Sequence, residues 1–249
     1  MKKVTIFTLA ILMGCGALFA QNSFRITVGG SMPIGNFGKA KVTNSDIQKW
    51  GLVDNTKYGG AGLGVCLGLQ EKFGFRNVEG LGLTISLDGF FNGLNNDLDS
   101  YFDDVRDLGD KKYEDYTLHT PKYLNFAPMA GLNYEYHIND ALGFFAEFGI
   151  GANYRKITNL STDGKNSNPF SYYRTSVKYN SNITFAYKIG AGFIFKNKFI
   201  LHIGYLGLGS AIAKGKAEVN GTGYGSSSNK IKNGKINPTL LTLSVGVQF

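Results

Sequence analysis

The chain runs to 249 residues with a formal charge of +8, 34 glycines, 14% aromatic residues and 5 prolines. That length fits one β architecture, and abundant Gly and Tyr with little Pro suit long paired strands whose inner face must be small. The basic balance comes without a basic helix or an aromatic RNA-binding motif, so nucleic acid is excluded as the expected partner and an anionic lipid surface is favoured.

Lys2 and Lys3 precede an apolar run from Val4 to Met13, and small residues follow up to Ala20. This is the pattern of a secretory signal peptide over residues 1–20, too short to span a bilayer as a helix, with cleavage after Ala20. Leu12-Met13-Gly14-Cys15 offers the competing reading of a lipoprotein box with Cys15 acylated. Met13 matches such a box poorly and the leader continues to Ala20, so lipidation ranks second. With cleavage after Ala20, Cys66 is the only cysteine left and no intramolecular disulfide forms.

From Phe24 the chain alternates with a period of two. Phe24, Ile26 and Val28 oppose Arg25, Thr27 and Gly29 in a first strand ending before Pro33. A second strand over 58–69 sets Leu63, Val65, Leu67 and Leu69 against Gly62, Gly64, Cys66 and Gly68, and 70–80 reads as a connection. Leu81, Leu83, Ile85 and Leu87 then oppose Gly82, Thr84, Ser86 and Asp88. A fourth strand over 122–136 points Leu124, Phe126, Leu132 and Tyr134 one way and Asn125, Met129, Asn133 and Glu135 the other, with a bulge expected at Pro128. After a tight turn at Ile138-Asn139-Asp140, Phe144, Phe148 and Ile150 oppose Phe145, Glu147 and Asn153. The sixth strand sets Ile183, Phe185, Ile189 and Phe193 against Thr184, Ala186 and Lys188. Lys196-Asn197-Lys198 is a short turn into a seventh strand with Leu201 and Ile203 opposite His202 and Gly204, and Thr239–Phe249 forms the last.

The connections alternate between short turns and four long, polar stretches at about 33–57, 92–121, 155–180 and 214–238, read as solvated extracellular loops. Eight strands of roughly 9 to 11 residues, each with an apolar outer face, predict an all-β, eight-stranded antiparallel up-and-down transmembrane β-barrel over 21–249. Only a closed barrel satisfies every backbone hydrogen bond in lipid. Phe24, Tyr136, Phe195, Phe199 and Phe249 on the turn side, and Phe91, Tyr123 and Tyr154 on the loop side, are placed as interfacial girdles.

Eight strands leave an interior that side chains fill. The inward charged and titratable set is Arg25, Asp88, Glu135, Glu147, Lys188 and His202. Glu147 is expected to pair with Lys188 on the neighbouring strand, and Arg25 to meet Asp88 or Glu135 across the lumen. A compensated network that plugs the barrel is favoured over a polar conduit, because an unpaired buried charge is costly. His119 with Asp115 and Ser100 is the one conceivable catalytic grouping, and Asn95–Asp99 the one conceivable calcium site, without EF-hand spacing. Neither amounts to a site, so no enzyme, cofactor or metal is expected. The second long loop carries eight acids between Asn92 and Tyr116, and the fourth carries Lys214, Lys216, Lys230, Lys232 and Lys235. These two are expected to attract each other across the mouth, or the lysines to contact lipopolysaccharide phosphates.

The final strand stops on Phe249, which resembles the C-terminal recognition signal of Gram-negative outer-membrane barrel proteins and marks Phe249 as an assembly signal for the barrel-assembly machinery. The whole pattern resembles the small barrels of the OmpX/OmpW type. In its Gly-rich first strand, Ala-Gln junction and Lys/Asn/Tyr-rich loops it is similar to the Bacteroidetes outer membrane protein beta-barrel domain family, which includes PorT-like proteins. The resemblance implies a non-enzymatic integral protein of the outer membrane, with surface loops for adhesion, interaction or envelope organisation. The alternatives it implies are a narrow OmpW-like channel for small solutes and a PorT-like secretion-accessory barrel with a protein partner. No functional residue maps by motif.

Overall fold

The computed structural model describes residues 19–43, 46–166, 172–222 and 225–249. Residues 1–18, with most of the expected leader and Cys15, lie outside the described residues. In chain order the elements are β1 (Phe19–Pro33), β2 (Lys41–Thr43), β3 (Asp46–Lys49), β4 (Ala61–Phe75), β5 (Leu81–Leu94), α1 (Asn96–Lys112), β6 (Asp115–His119), β7 (Tyr123–Asn139), β8 (Leu142–Ile157), β9 (Leu160–Lys165), β10 (Tyr172–Tyr179), β11 (Asn182–Phe195), β12 (Phe199–Gly207), β13 (Ala211–Gly221), β14 (Gly225–Ile236) and β15 (Thr239–Gln248).

Eight of these close a barrel in the order β1-β15-β12-β11-β8-β7-β5-β4, every neighbouring pair antiparallel. The seam joins the first strand to the last in the register Val28↔Val245, and Phe24 and Phe249 exchange backbone hydrogen bonds of 3.1 and 2.9 Å. No open edge remains, which is the condition for placing strands in hydrocarbon.

Alternation decides which way each side chain points. Ile26, Leu67, Ile85, Leu132, Phe148, Ile189, Ile203 and Leu243 stand on the outside, with exposures from 36% at Ile26 to 60% at Leu243. A continuous apolar exterior of this extent is untenable in water and is the lipid-facing band of a transmembrane β-barrel. Phe24, Tyr136, Phe195, Phe199, Phe91 and Tyr154 are exposed on it, but Tyr123 is not. It shares the inward parity of Asn125 and is wholly buried.

Three further expectations need correction. The 70–80 connection is shorter than read, because β4 continues to Phe75 with Lys72 and Gly74 buried inward. Glu71 points outward there and interrupts the apolar pattern, although the backbone pairing with β5 goes on. Pro128 produces no bulge. The β7–β8 ladder passes from Phe126↔Tyr154 to Met129↔Gly151 without a shift of register, so the missing donor is absorbed by a local gap in pairing.

The third correction is the largest. Where they are described, the four long stretches are not solvated loops but built structure. Strands β6, β9, β10, β13 and β14 form a five-stranded sheet in the order β14-β13-β10-β9-β6. Those strands adjoin β15, β12, β11, β8 and β7 in sequence, in the same lateral order. The sheet is therefore the barrel wall continued past the rim on five of its eight strands. On the remaining side stand the β2–β3 hairpin and α1, which packs against β6, β2 and β3.

Helix α1 starts where Asn95 Oδ1 accepts from the Leu98 amide at 3.1 Å, carries Asp97 and Asp99 in its first turn and ends on Lys111 and Lys112. Those charges suit the two poles of the helix dipole. The run Asn95–Asp99, weighed as a calcium loop, is this cap. An Asn95→Ala variant is expected to lose about 1 kcal/mol of helix stability, read as faster amide exchange in α1 with no change in the barrel strands.

Candidate functional site

Two layers fill the molecule's axis: a charged layer inside the barrel and an apolar one above it. In the charged layer seven strands each contribute one titratable group: Arg25, Lys72, Asp88, Glu135, Glu147, Lys188 and His202. Nearest the turns, Glu135 accepts from the Arg25 guanidinium and lies 3.0 Å from Lys72 Nζ. Arg25 Nε donates to Gln248 Oε1 at 2.8 Å, and its guanidinium lies 4.4 Å from the centre of the Phe145 ring. Further in, Lys188 Nζ sits between Asp88 Oδ2 and Glu147 Oε1, 3.1 Å from each. The second oxygen of Glu147 accepts from Gln70 Nε2 at 2.8 Å, and His202 Nε2 is 3.3 Å from its first. His202 Nδ1 faces Ser244 Oγ at 3.3 Å.

All six expected inward residues thus lie inside, and Arg25 meets Glu135 rather than Asp88. Lys72 and Gln70 were not anticipated, because they sat in the stretch read as a connection; Gln248 joins the layer from the polar face of the last strand. Arg25, Lys72 and Lys188 balance Asp88, Glu135 and Glu147 one for one. Backbone makes the room, since a Cβ at Gly190 would come within 3.2 Å of Glu147 Cγ and Oε1. Beside Lys188 and His202 lie cavities of about 30 and 20 Å³, enough for a water or two. At the turn side a wider vestibule of about 550 Å³ narrows onto Lys72 and Glu135.

The apolar layer is assembled from the four long stretches and the upper barrel. Trp50 is fully buried among Phe37, Leu52, Leu98, Phe102, Tyr123 and Ile236. Its ring meets Phe102 edge to face at 5.7 Å, and its Nε1 donates to the Gly59 carbonyl at 2.8 Å, which also accepts from the Tyr123 hydroxyl. Gly60 takes φ +61, and a Cβ there would press within 3.0 Å of the Trp50 indole. The Tyr179 hydroxyl donates to the Leu52 carbonyl at 3.3 Å, and burial pushes that phenol's pKa up so that it stays a donor. Below this layer a buried polar rim ties the extension down. Arg155 donates to the carbonyls of Ile236 and Ala211 at 3.2 and 3.3 Å, and Asn153 to Asn125 and the Leu208 carbonyl at 3.1 Å each.

The cap is therefore closed by hydrophobic packing and not by attraction between the acidic and basic segments. Arg106 pairs with Asp103 inside the helix at 2.7 Å, while Lys216 and Lys178 turn to Glu218 and hold its carboxyl below the ordinary range. β14, which carries Lys230, Lys232 and Lys235, and β6, which follows the acidic helix, are opposite edges of the extension sheet. His119 and Asp115 stand at opposite ends of β6, about 13 Å apart along a strand. Ser100 lies on α1, so no triad geometry exists. Among the described residues no group of three or more His, Cys, Asp or Glu converges as metal ligands would.

No protein-family model matches the sequence, and no curated protein matches it. Solved structures similar to it include a major outer membrane protein from Thermus thermophilus, 12% identical with a TM-score of 0.44, covering 92% of this chain and 100% of that one. OprG from Pseudomonas aeruginosa is 13% identical with a TM-score of 0.43 over 93% and 97%. Ail, the attachment invasion locus protein of Yersinia pestis, is 12% identical with a TM-score of 0.36 over 92% and 100%. At these values the likeness adds nothing to the ladder, the closed seam and the apolar exterior of the chain itself.

Proposed function

We propose that the chain is a non-enzymatic outer-membrane barrel that conducts nothing and serves as a rigid mount for its extension, which makes surface contacts in adhesion, interaction or envelope organisation. The observation that carries this is the double closure of the axis. A lumen whose charges are paired within 3.1 Å offers no continuous path, and the Trp50 layer stands over it. A barrel kept for passage has no use for either. The extension, by contrast, is ordered by its own sheet and presents lysines at Lys214, Lys230 and Lys232. On this reading Phe249, exposed at the turn-side end of the seam, is the handle by which the barrel-assembly machinery recognises the chain.

Single-channel recording in a planar bilayer tests the proposal, using protein whose faster gel migration before boiling shows the barrel folded. No steady conductance is expected. Ion-selective conductance that changes in Glu147→Gln would overturn the filled-lumen reading and favour the narrow channel.

A further inference from the structure

We infer that a groove on the outside of the loop-side rim, between Lys57 and Lys235, seats the phosphate of an outer-leaflet lipid headgroup. The inference rests on the outer-membrane reading above and adds a ligand class and a site to it. The groove measures about 490 Å³, and its polar lining includes Lys57, Lys235, Asn36, Asn237, Ser210 and Tyr205, with no acid among the lining residues.

Its origin lies in the uneven height of the wall. Strand β14 belongs to the extension, whereas β1 stops at Pro33, and its continuation turns away through Gly35 at φ +61. Two backbone hydrogen bonds hold this floor, Ile34 N–H to the Thr239 carbonyl at 3.0 Å and Leu208 N–H to the Pro238 carbonyl at 2.9 Å. The step between a tall strand and a short one leaves a concave corner, lined by both Lys57 and Lys235.

Position decides what the corner meets. Along its lower edge an outward rung runs Met32–Leu241–Tyr205 across three paired strands. Met32 and Tyr205 are exposed on the lipid-facing side. Tyr205 lies 6.1 Å from Tyr187 on the next strand, an aromatic pair of the kind that marks headgroup depth. A molecule with its polar end in the groove therefore has its apolar part along the band.

The chemistry fits a phosphomonoester. Two ammonium groups match its charge of about −1.5 to −2, and amide and hydroxyl donors match its remaining oxygens. The other lysines of the fourth segment are placed otherwise: Lys216 is engaged by Glu218 at 2.8 Å, and Lys230 and Lys232 lie further up the extension. Only Lys235 of the five lines the rim groove, and its partner Lys57 comes from a different segment.

The test uses the full folded protein in detergent, incubated with bisphosphorylated lipid A or with the same lipid stripped of phosphate, and native mass spectrometry to count retained lipid. Two lysines at a membrane surface predict retention of the phosphorylated form weakened about thirty-fold in Lys57→Gln/Lys235→Gln. Lys230→Gln/Lys232→Gln is expected to leave it unchanged. Equal retention by the first variant and the wild type overturns the site. So does displacement of the lipid by an equal concentration of inorganic phosphate, which would show a pocket for soluble phosphate. Gel migration of each sample before and after boiling separates these outcomes from failure of the barrel reading, since an unfolded barrel would show no shift in any variant.

Discussion

Replacing Trp50 with alanine is expected to open the cap while leaving the barrel closed. Trp50 is the chain's only tryptophan, and it joins three separate pieces of sequence. The indole packs on Phe102 of α1, donates to Gly59 and fits against a glycine at 60 that has no side chain to displace it. Truncating a buried Trp costs about 3–5 kcal/mol through lost burial and the cavity left behind. None of the barrel ladders passes through position 50, so that loss falls on the local opening of the cap and not on the barrel. Opening becomes roughly a hundredfold or more frequent, since each 1.4 kcal/mol is tenfold. Limited proteolysis reads this directly: cleavage within 33–57 and 96–112 should accelerate by that order while the unboiled gel migration stays that of the wild type. In the unaltered protein the tryptophan emission should resist acrylamide quenching. Unchanged cleavage in Trp50→Ala would mean that the cap stands on its strands alone and that the apolar layer is incidental.

The second large effect belongs to Lys188. Its ammonium lies between two carboxylates, Asp88 and Glu147, at 3.1 Å from each, and all three side chains are at most 14% exposed. Removing the cation leaves two negative groups facing each other in a lumen with room for a water or two. Breaking a buried pair in this way costs about 3–5 kcal/mol, most of it the penalty of the charges left behind. Lys188→Met should therefore lower the temperature at which the barrel loses its fast gel migration. The same substitution combined with Asp88→Asn and Glu147→Gln should recover most of the loss, because the charges it would have stranded are gone. The triple variant discriminates between an ion network and mere packing. Recovery identifies charge compensation as the source, whereas equal loss in both variants would show that the lysine's methylene stem was what mattered.

The barrel was legible because lipid and lumen impose opposite demands on successive residues. Ile26 beside Arg25 and Thr27, or Phe148 beside Glu147 and Gly149, records the two faces one residue at a time, and the pattern fixes strand, face and register together. Even Lys188 next to Glu147 followed from adjacency of strands. Where one face was not uniformly apolar the signal failed. Glu71 hid the end of β4 and with it Lys72; in β13 small residues such as Ala213, Gly215 and Ala217 alternate with Lys214, Lys216 and Glu218 without making a greasy face, and β14 has Lys and Ser on both faces. They are strands because their neighbours in the barrel wall supply the pairing, a constraint carried by backbone hydrogen bonds and invisible in side-chain polarity. Helix α1 had its own signature in Leu98, Tyr101, Phe102 and Val105 at helical spacing. That narrow stripe is outweighed by the six acids of the same helix, which give the segment the composition of a solvated loop.

By itself, then, the sequence determined a closed antiparallel barrel, its outward band and every titratable group within except Lys72, since each is written in local alternation. Only the tertiary structure decided that Arg25 meets Glu135, that Trp50 closes the mouth, and that a lysine from 57 and one from 235 share a groove. Those contacts join residues distant along the chain, and their partners are chosen by the geometry of a closed sheet whose walls differ in height.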